Sequence, residues 1–322
     1  MEHFFEQVVH AGHQGWSFLN GAIGDKIADT PLGIEAGFYY QRQRLVLQKA
    51  YLRDRYSRAF AITPKICILI HGLTHNETAW DFDDRSNYGT KLAEDLGYTP
   101  FYFRYNTGLH ISENGKKINT LIAKLYQNYP IQIRQIAIIG HSMGGLLAHS
   151  AAHYALEQRQ AWIQHLQKVC LIAAPHLGSF LERFANLTTG ILTRIPNWPT
   201  QLVGKAINLR SHGIKDLRFG YLRDEDWQGH PPDRLWHNTR TPIRIPEHTR
   251  YHIITGSLSP QEQHWINIFL GDLLVSTRSA SADYDTKSGI RFDPHNYRHF
   301  PGANHFKLLT MEEVYQQIKD WF

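Results

Sequence analysis

Gly140-His141-Ser142-Met143-Gly144 spells G-x-S-x-G, the pattern that presents a serine hydroxyl as a nucleophile at a sharp strand-to-helix turn. The flanking residues are those that such a turn requires. Ile136-Ala137-Ile138-Ile139 is an apolar run rich in β-branched residues, which reads as a strand buried on both faces. Leu146, Leu147, Ala151, Ala155 and Leu156 follow at the spacing of a helix. A serine at that junction is held in a strained backbone conformation, above the carboxyl ends of the strands. The N–H groups that open the new helix then favour an anion developing beside it.

A serine hydroxyl needs a base, and the base needs an acid to orient it. With a nucleophile elbow the chain order is serine, acid, histidine. Thirteen histidines follow Ser142, so order alone does not choose among them. The base belongs in a loop after the last strand and before the last helix. Gly302-Ala303-Asn304-His305 lies there, which selects His305, with His299 at a strand end as the alternative. For the acid, Gly271-Asp272-Leu273-Leu274-Val275 places a carboxylate directly before an apolar run. Asp272 is therefore the expected orienting acid, with Asp283 and Asp285 in a polar loop as alternatives better suited to a solvated turn. An oxyanion hole takes two backbone N–H groups. Met143 supplies one, and Leu73, in the His71-Gly72-Leu73 turn after a strand ending at Ile70, supplies the other. His71 and His75 are four apart but lack a third ligand nearby, so they do not read as a metal site.

The elements around these residues alternate. Ile66 to Ile70, Thr99 to Tyr105, Ile136 to Ile139, Val169 to Ala173 and Tyr251 to Thr255 read as strands. Helices are expected near Tyr88 to Leu96, Ile118 to Tyr126, after Ser142, and from about Met311 to Phe322. This alternation predicts an α/β fold, a doubly wound and mostly parallel sheet. Residues 177–249 break the rhythm with six prolines and three tryptophans, and they read as a helical cap inserted into a domain spanning 61–322. Phe180, Phe184, Leu187, Ile191 and Trp198 would give that cap an apolar lining for an acyl chain. Residues 1–60 read as an N-terminal helical extension.

The chain has 322 residues, 42% hydrophobic and 20% charged, with a formal charge of +5. That composition suits a folded domain with a buried core. No apolar run is long enough to cross a bilayer. The start, Met1-Glu2-His3-Phe4-Phe5-Glu6, carries no secretory pattern, and the two cysteines, Cys67 and Cys170, both sit in apolar runs. Together these predict a cytoplasmic protein with inert, buried thiols. The charge is concentrated: residues 42–58 hold six basic side chains against Asp54 alone. A solvated helix face is the plain reading of that stretch, and peripheral contact with anionic lipid the sharper one. A nucleic-acid partner is not expected, because no reader motif accompanies the patch.

Taken together, His71-Gly72-Leu73, Gly140-His141-Ser142-Met143-Gly144-Gly145, Ala174-Pro175-His176-Leu177-Gly178-Ser179 and Gly271-Asp272-Leu273-Leu274-Val275 resemble the lipase-type α/β-hydrolases. The nearest resemblance is to bacterial esterase/lipase proteins related to the catalytic domain of GPI inositol-deacylase. Arg104-Tyr105-Asn106-Thr107-Gly108-Leu109-His110 and residues 213–220 share in it. The resemblance implies the α/β-hydrolase fold, a triad of Ser142, Asp272 and His305, an oxyanion hole at Leu73 and Met143, and no cofactor. It implies hydrolysis of carboxylic esters of lipid or acyl type. Leu273, Ser276 and Ala174 depart from the residues usual in the group, and none of them carries chemistry. Thioester or amide hydrolysis, or a non-catalytic binding role for lipid or a partner, are the alternatives, since fold alone does not decide function.

Overall fold

Lys65-Ile66-Cys67-Ile68-Leu69-Ile70 is buried along nearly its whole length, and the rest of the sheet grows outward from it. The computed structural model of the chain describes residues 12–30, 33–82, 86–175, 211–229, 241–257 and 293–322. In chain order they form α1 (Gly12–Ile27), β1 (Gly37–Tyr40), β2 (Gln43–Arg44), α2 (Lys49–Asp54), β3 (Lys65–Ile70), α3 (Tyr88–Leu96), β4 (Thr99–Arg104) and α4 (Ile111–Asn128). Then come β5 (Gln135–His141), α5 (Met143–Glu157), β6 (Leu166–Ile172), α6 (His212–Phe219), α7 (Asp224–Trp227), β7 (Arg250–Gly256), β8 (Tyr297–Phe300) and α8 (Glu312–Trp321).

The strands lie in one sheet in the order β2-β1-β4-β3-β5-β6-β7-β8. β1 runs antiparallel to both its neighbours, and the pairs from β4 through β8 are parallel. Strand alternation splits the apolar side chains between two faces. Ile66, Ile68 and Ile70 pack with Ile118, Ile122, Leu146 and Ala151 of α4 and α5 on one face. Cys67 and Leu69 pack with Leu92 of α3 and with Val314 and Ile318 of α8 on the other. A parallel sheet covered on both sides explains why its strands read as continuous apolar runs. Both thiols are free and buried, and burial pushes them far above the usual thiol range, which leaves them inert.

Within the stretch expected to be a helical extension, 1–60, the described residues hold α1 and α2 and also strands. Residues 37–44 form a hairpin on the sheet, with Phe38 buried edge-on against Phe101 and Phe103 of β4. Three apolar or aromatic residues and a two-residue partner strand are too short to show a period. The expected helix at 118–126 begins earlier, at Ile111. The carboxylate that accepts the Ile111 N–H, at 2.8 Å, belongs to Asp216, over a hundred residues downstream. Of the cap insertion at 177–249, residues 211–229 and 241–249 are described and contain α6 and α7; the rest, including Phe180, Phe184, Leu187, Ile191 and Trp198, lies outside the described residues. Among the described residues, no helix is long and apolar enough to cross a membrane.

Candidate active site

β5 delivers the chain to Ser142, which adopts φ 54°, ψ −123°, and α5 begins at the next residue. Left-handed φ on a residue with a side chain costs of order 1–3 kcal/mol, so the surrounding structure must hold it. It does so by several contacts. The Ser142 N–H donates to Ile172 O at the end of β6, at 2.8 Å, and Ser142 O accepts from Gly145 N at 3.0 Å. A Cβ on Gly144 would lie 2.6 Å from His71 O, so α5 can approach the end of β3 this closely only because residue 144 has none. Every residue from Met143 to Ala155 is buried, which sinks α5 into the core and fixes the turn before it. The first N–H groups of a helix have no intrahelical acceptor, and here they open beside Ser142.

The loop after β3 lies against this turn. A Cβ on Gly72 would sit 3.0 Å from both Ser142 Cβ and His141 Nδ1. The next residues curl tightly. Thr74 has φ 62°, its N–H donates to Thr107 Oγ1 at 3.2 Å, and its own Oγ1 donates to Leu73 O at 2.7 Å. Leu73 and Met143 are both buried; Met143 opens α5 directly after Ser142, and Leu73 follows Gly72 in the loop after β3. His71 and His75 face different neighbours. His71 stacks on Tyr105, with ring centroids 4.6 Å apart, and burial lowers its pKa to about 3. His75 lies over Phe306, and its Nδ1 is 2.8 Å from Leu73 O.

His305 comes to the same place from the loop after β8. Its carbonyl oxygen is 3.0 Å from His141 Nε2, and the two rings are 4.6 Å apart. Burial, with His305 and His75 close by, holds the His141 pKa well below the usual histidine range, so His141 is neutral. A carbonyl oxygen can only accept, so the His141 proton sits on Nε2. His141 therefore ties the residue before the nucleophile to the loop that carries His305. The motif contains His141, but only the folded chain gives it this role. His299, the alternative base, is held differently: its Nδ1 is 2.8 Å from Thr255 Oγ1 and its Nε2 is 3.2 Å from Ser257 Oγ. Asp272, Asp283 and Asp285 lie outside the described residues.

A second polar constellation, between α6, α7 and the start of α4, was not legible in the sequence. His110 Nδ1 is 3.0 Å from both oxygens of Asp216, and the His110 ring is stacked between Trp227 at 3.7 Å and His212 at 4.2 Å. Burial raises the Asp216 pKa to about 6, against the pull of His110 and of the Ile111 N–H. This pair pins α6 to the start of α4. A cavity of about 730 Å³ opens near it, lined by Ala28, Glu35, Asn106, Leu109, Lys116 and Lys117 among others, and Ser142 is not part of its wall.

Residues 63–215 match the family model described as "Putative serine esterase (DUF676)". No curated protein matches. Among solved structures, an esterase from Pyrococcus furiosus is 16% identical, with 80% of this chain and 81% of that one covered and a TM-score of 0.47. A lipase-esterase related protein from Clostridium acetobutylicum is 14% identical, with 81% and 95% covered and a TM-score of 0.41. A hyperthermophilic esterase from the archaeon Pyrobaculum calidifontis is 14% identical, with 80% and 74% covered and a TM-score of 0.44. The mostly parallel eight-stranded sheet, with a strained serine between its fifth strand and the following helix, is the α/β-hydrolase fold, and residues 63–215 of the chain match the model of a putative serine esterase family.

Proposed function

We propose that the protein is a serine esterase that cleaves carboxylic esters of lipid or acyl type through an acyl-enzyme. Ser142 is the nucleophile, His305 the general base and Asp272 the orienting acid. The base takes the Ser142 proton as Oγ attacks the ester carbonyl. The N–H groups of Leu73 and Met143 receive the oxyanion, the alcohol leaves with the proton from His305, and water activated by the same histidine releases the acid. Asp272 holds the His305 tautomer and stabilises the imidazolium.

The observation that carries this reading is the Ser142 backbone, φ 54° and ψ −123°, held between β5 and α5 with Gly72 against its Cβ. Such strain persists where it raises a hydroxyl over a site. The contact between His141 and the His305 carbonyl supports His305 over His299, whose ring nitrogens both lie against hydroxyls. The family match over 63–215 supports ester hydrolysis as the chemistry. Replacing Ser142 by Ala tests it: hydrolysis of short p-nitrophenyl esters falls by at least ~10³-fold, with the fold intact by circular dichroism. Retention of activity within about tenfold of the parent defeats the assignment. Labelling of the parent, but not of the variant, by a fluorophosphonate probe identifies the attacking oxygen.

A further inference from the structure

The formal charge of the whole chain, +5, equals the charge of residues 42–58, where six basic residues face Asp54 alone. In the folded protein all six are exposed, on the β1–β2 hairpin at the sheet edge and on the segment that follows it, whose Tyr56 packs against Tyr40 of β1. Arg42 lies in the β1–β2 turn and Arg44 on the edge strand β2. Beyond it Leu45 and Leu47 are buried while Val46 and Gln48 are exposed, so this extended segment keeps one face inward and one outward. Lys49 and Arg53 are one turn apart on α2, which turns Leu52 to the core, and Arg55 and Arg58 follow. Glu35 engages Arg44 at 2.6 Å and Asp54 engages Arg53 at 2.7 Å. Among the described residues, Arg42, Lys49, Arg55 and Arg58 form no ion pair. Val46, 44% exposed, stands amid these charges as one of two large apolar side chains exposed among the described residues.

We propose that this edge docks on an anionic phospholipid surface. Four basic side chains spread along an edge do not converge on a single anion, but they suit a plane of many laterally mobile phosphates. Val46 adds an apolar contact at the headgroup level. A single-stranded nucleic acid takes exposed aromatic platforms as well as charge. Here Tyr56 and Phe60 are buried and Tyr51 packs against the core. Docking at this edge is independent of the chemistry assigned to Ser142, because it is read by binding alone.

The test is co-sedimentation of the full chain with vesicles of phosphatidylcholine, alone or mixed with about one-third phosphatidylglycerol. The expected result is at least ~10-fold stronger binding to the anionic vesicles, lost at ~0.5 M salt. The combined substitution Arg42→Glu, Lys49→Glu, Arg55→Glu and Arg58→Glu removes that preference and leaves hydrolysis of a soluble ester unchanged. If the fourfold variant does not fold, the pair Arg42→Gln and Arg55→Gln is expected to weaken binding by ~30-fold, at about 1 kcal/mol per charge removed. Equal binding to neutral vesicles, no binding to either, or undiminished binding by these variants overturns the proposal. So does capture of an oligonucleotide under conditions in which the anionic vesicles are ignored.

Discussion

Ser142 occupies a backbone region closed to most side chains, and its neighbours explain why it stays there. Less expected is His141. Its neutral ring joins the elbow to the His305 loop through a 3.0 Å contact, so the spacing of the proposed nucleophile–base pair depends partly on a side chain that is neither of them. Replacing His141 by Phe keeps an aromatic ring and removes the Nε2 donor. We expect kcat to fall ~10- to 100-fold with KM little changed, because misplacing a base by about an ångström has that cost. His141→Gln, which retains a donor, is expected to recover part of the loss in the same steady-state assay. Equal loss of stability and activity in both variants would assign His141 to packing alone.

At the scale of elements, α1 does more than cover the core. Its Ser17 Oγ accepts from Asn76 Nδ2 at 3.0 Å, its Gly24 O accepts from Asn106 Nδ2 at 2.9 Å, and its Gly21 O accepts from Ser211 Oγ at 2.7 Å. One helix thus braces the loops after β3 and β4 and the start of α6. The contact with Thr74 matters most, since Thr74 follows the proposed oxyanion donor Leu73. A Cβ on Gly21 would lie 3.3 Å from Thr74 Cα and from Thr107 Oγ1, and closer still to the Thr74 methyl. Gly21→Val is therefore expected to shift that loop and lower kcat toward soluble esters. The loss should be as much as ~10²-fold, the scale of a lost oxyanion donor. The pH–rate profile should keep its shape, because the base is untouched. Steady-state kinetics over pH check both statements.

Across the whole molecule, burial of histidine sets the response to acid. Burial lowers His71 to about 3 and His252 to about 4, and holds His141 well below its usual value. His153 and His212 shift the same way. Each binds its proton in the unfolded chain near the ordinary value of ~6.5 but not in the folded one. The unfolded state therefore holds more protons below that pH, and stability is lost as pH falls from ~6.5 toward 4. Asp216 opposes this. Its pKa, raised to about 6, means that the folded state holds the extra proton between the ordinary carboxyl value and 6. Asp81, also raised by burial, acts the same way. Among the described residues the histidines outnumber these two carboxyls, so their net effect is destabilisation, at up to about 1.4 kcal/mol per pH unit for each histidine left uncompensated. The urea midpoint is expected to be lower at pH 4.5 than at pH 7, with similar slope.

What the sequence determined by itself is what a few consecutive residues can encode. The buried run Ile136–Ile139, the glycines on either side of Ser142 and the apolar helix after it each answer a local demand of strand, turn or helix. The elbow and the parallel core were therefore legible in one dimension. The tertiary structure decided which distant groups meet. His141 reaches the carbonyl of a residue 164 positions away, Asp216 supports the start of a helix that its own segment does not contain, and Phe38 adds a hairpin to the sheet edge. None of these has a local signature, because a side chain's partner depends on which faces pack together, and packing is settled by the chain as a whole.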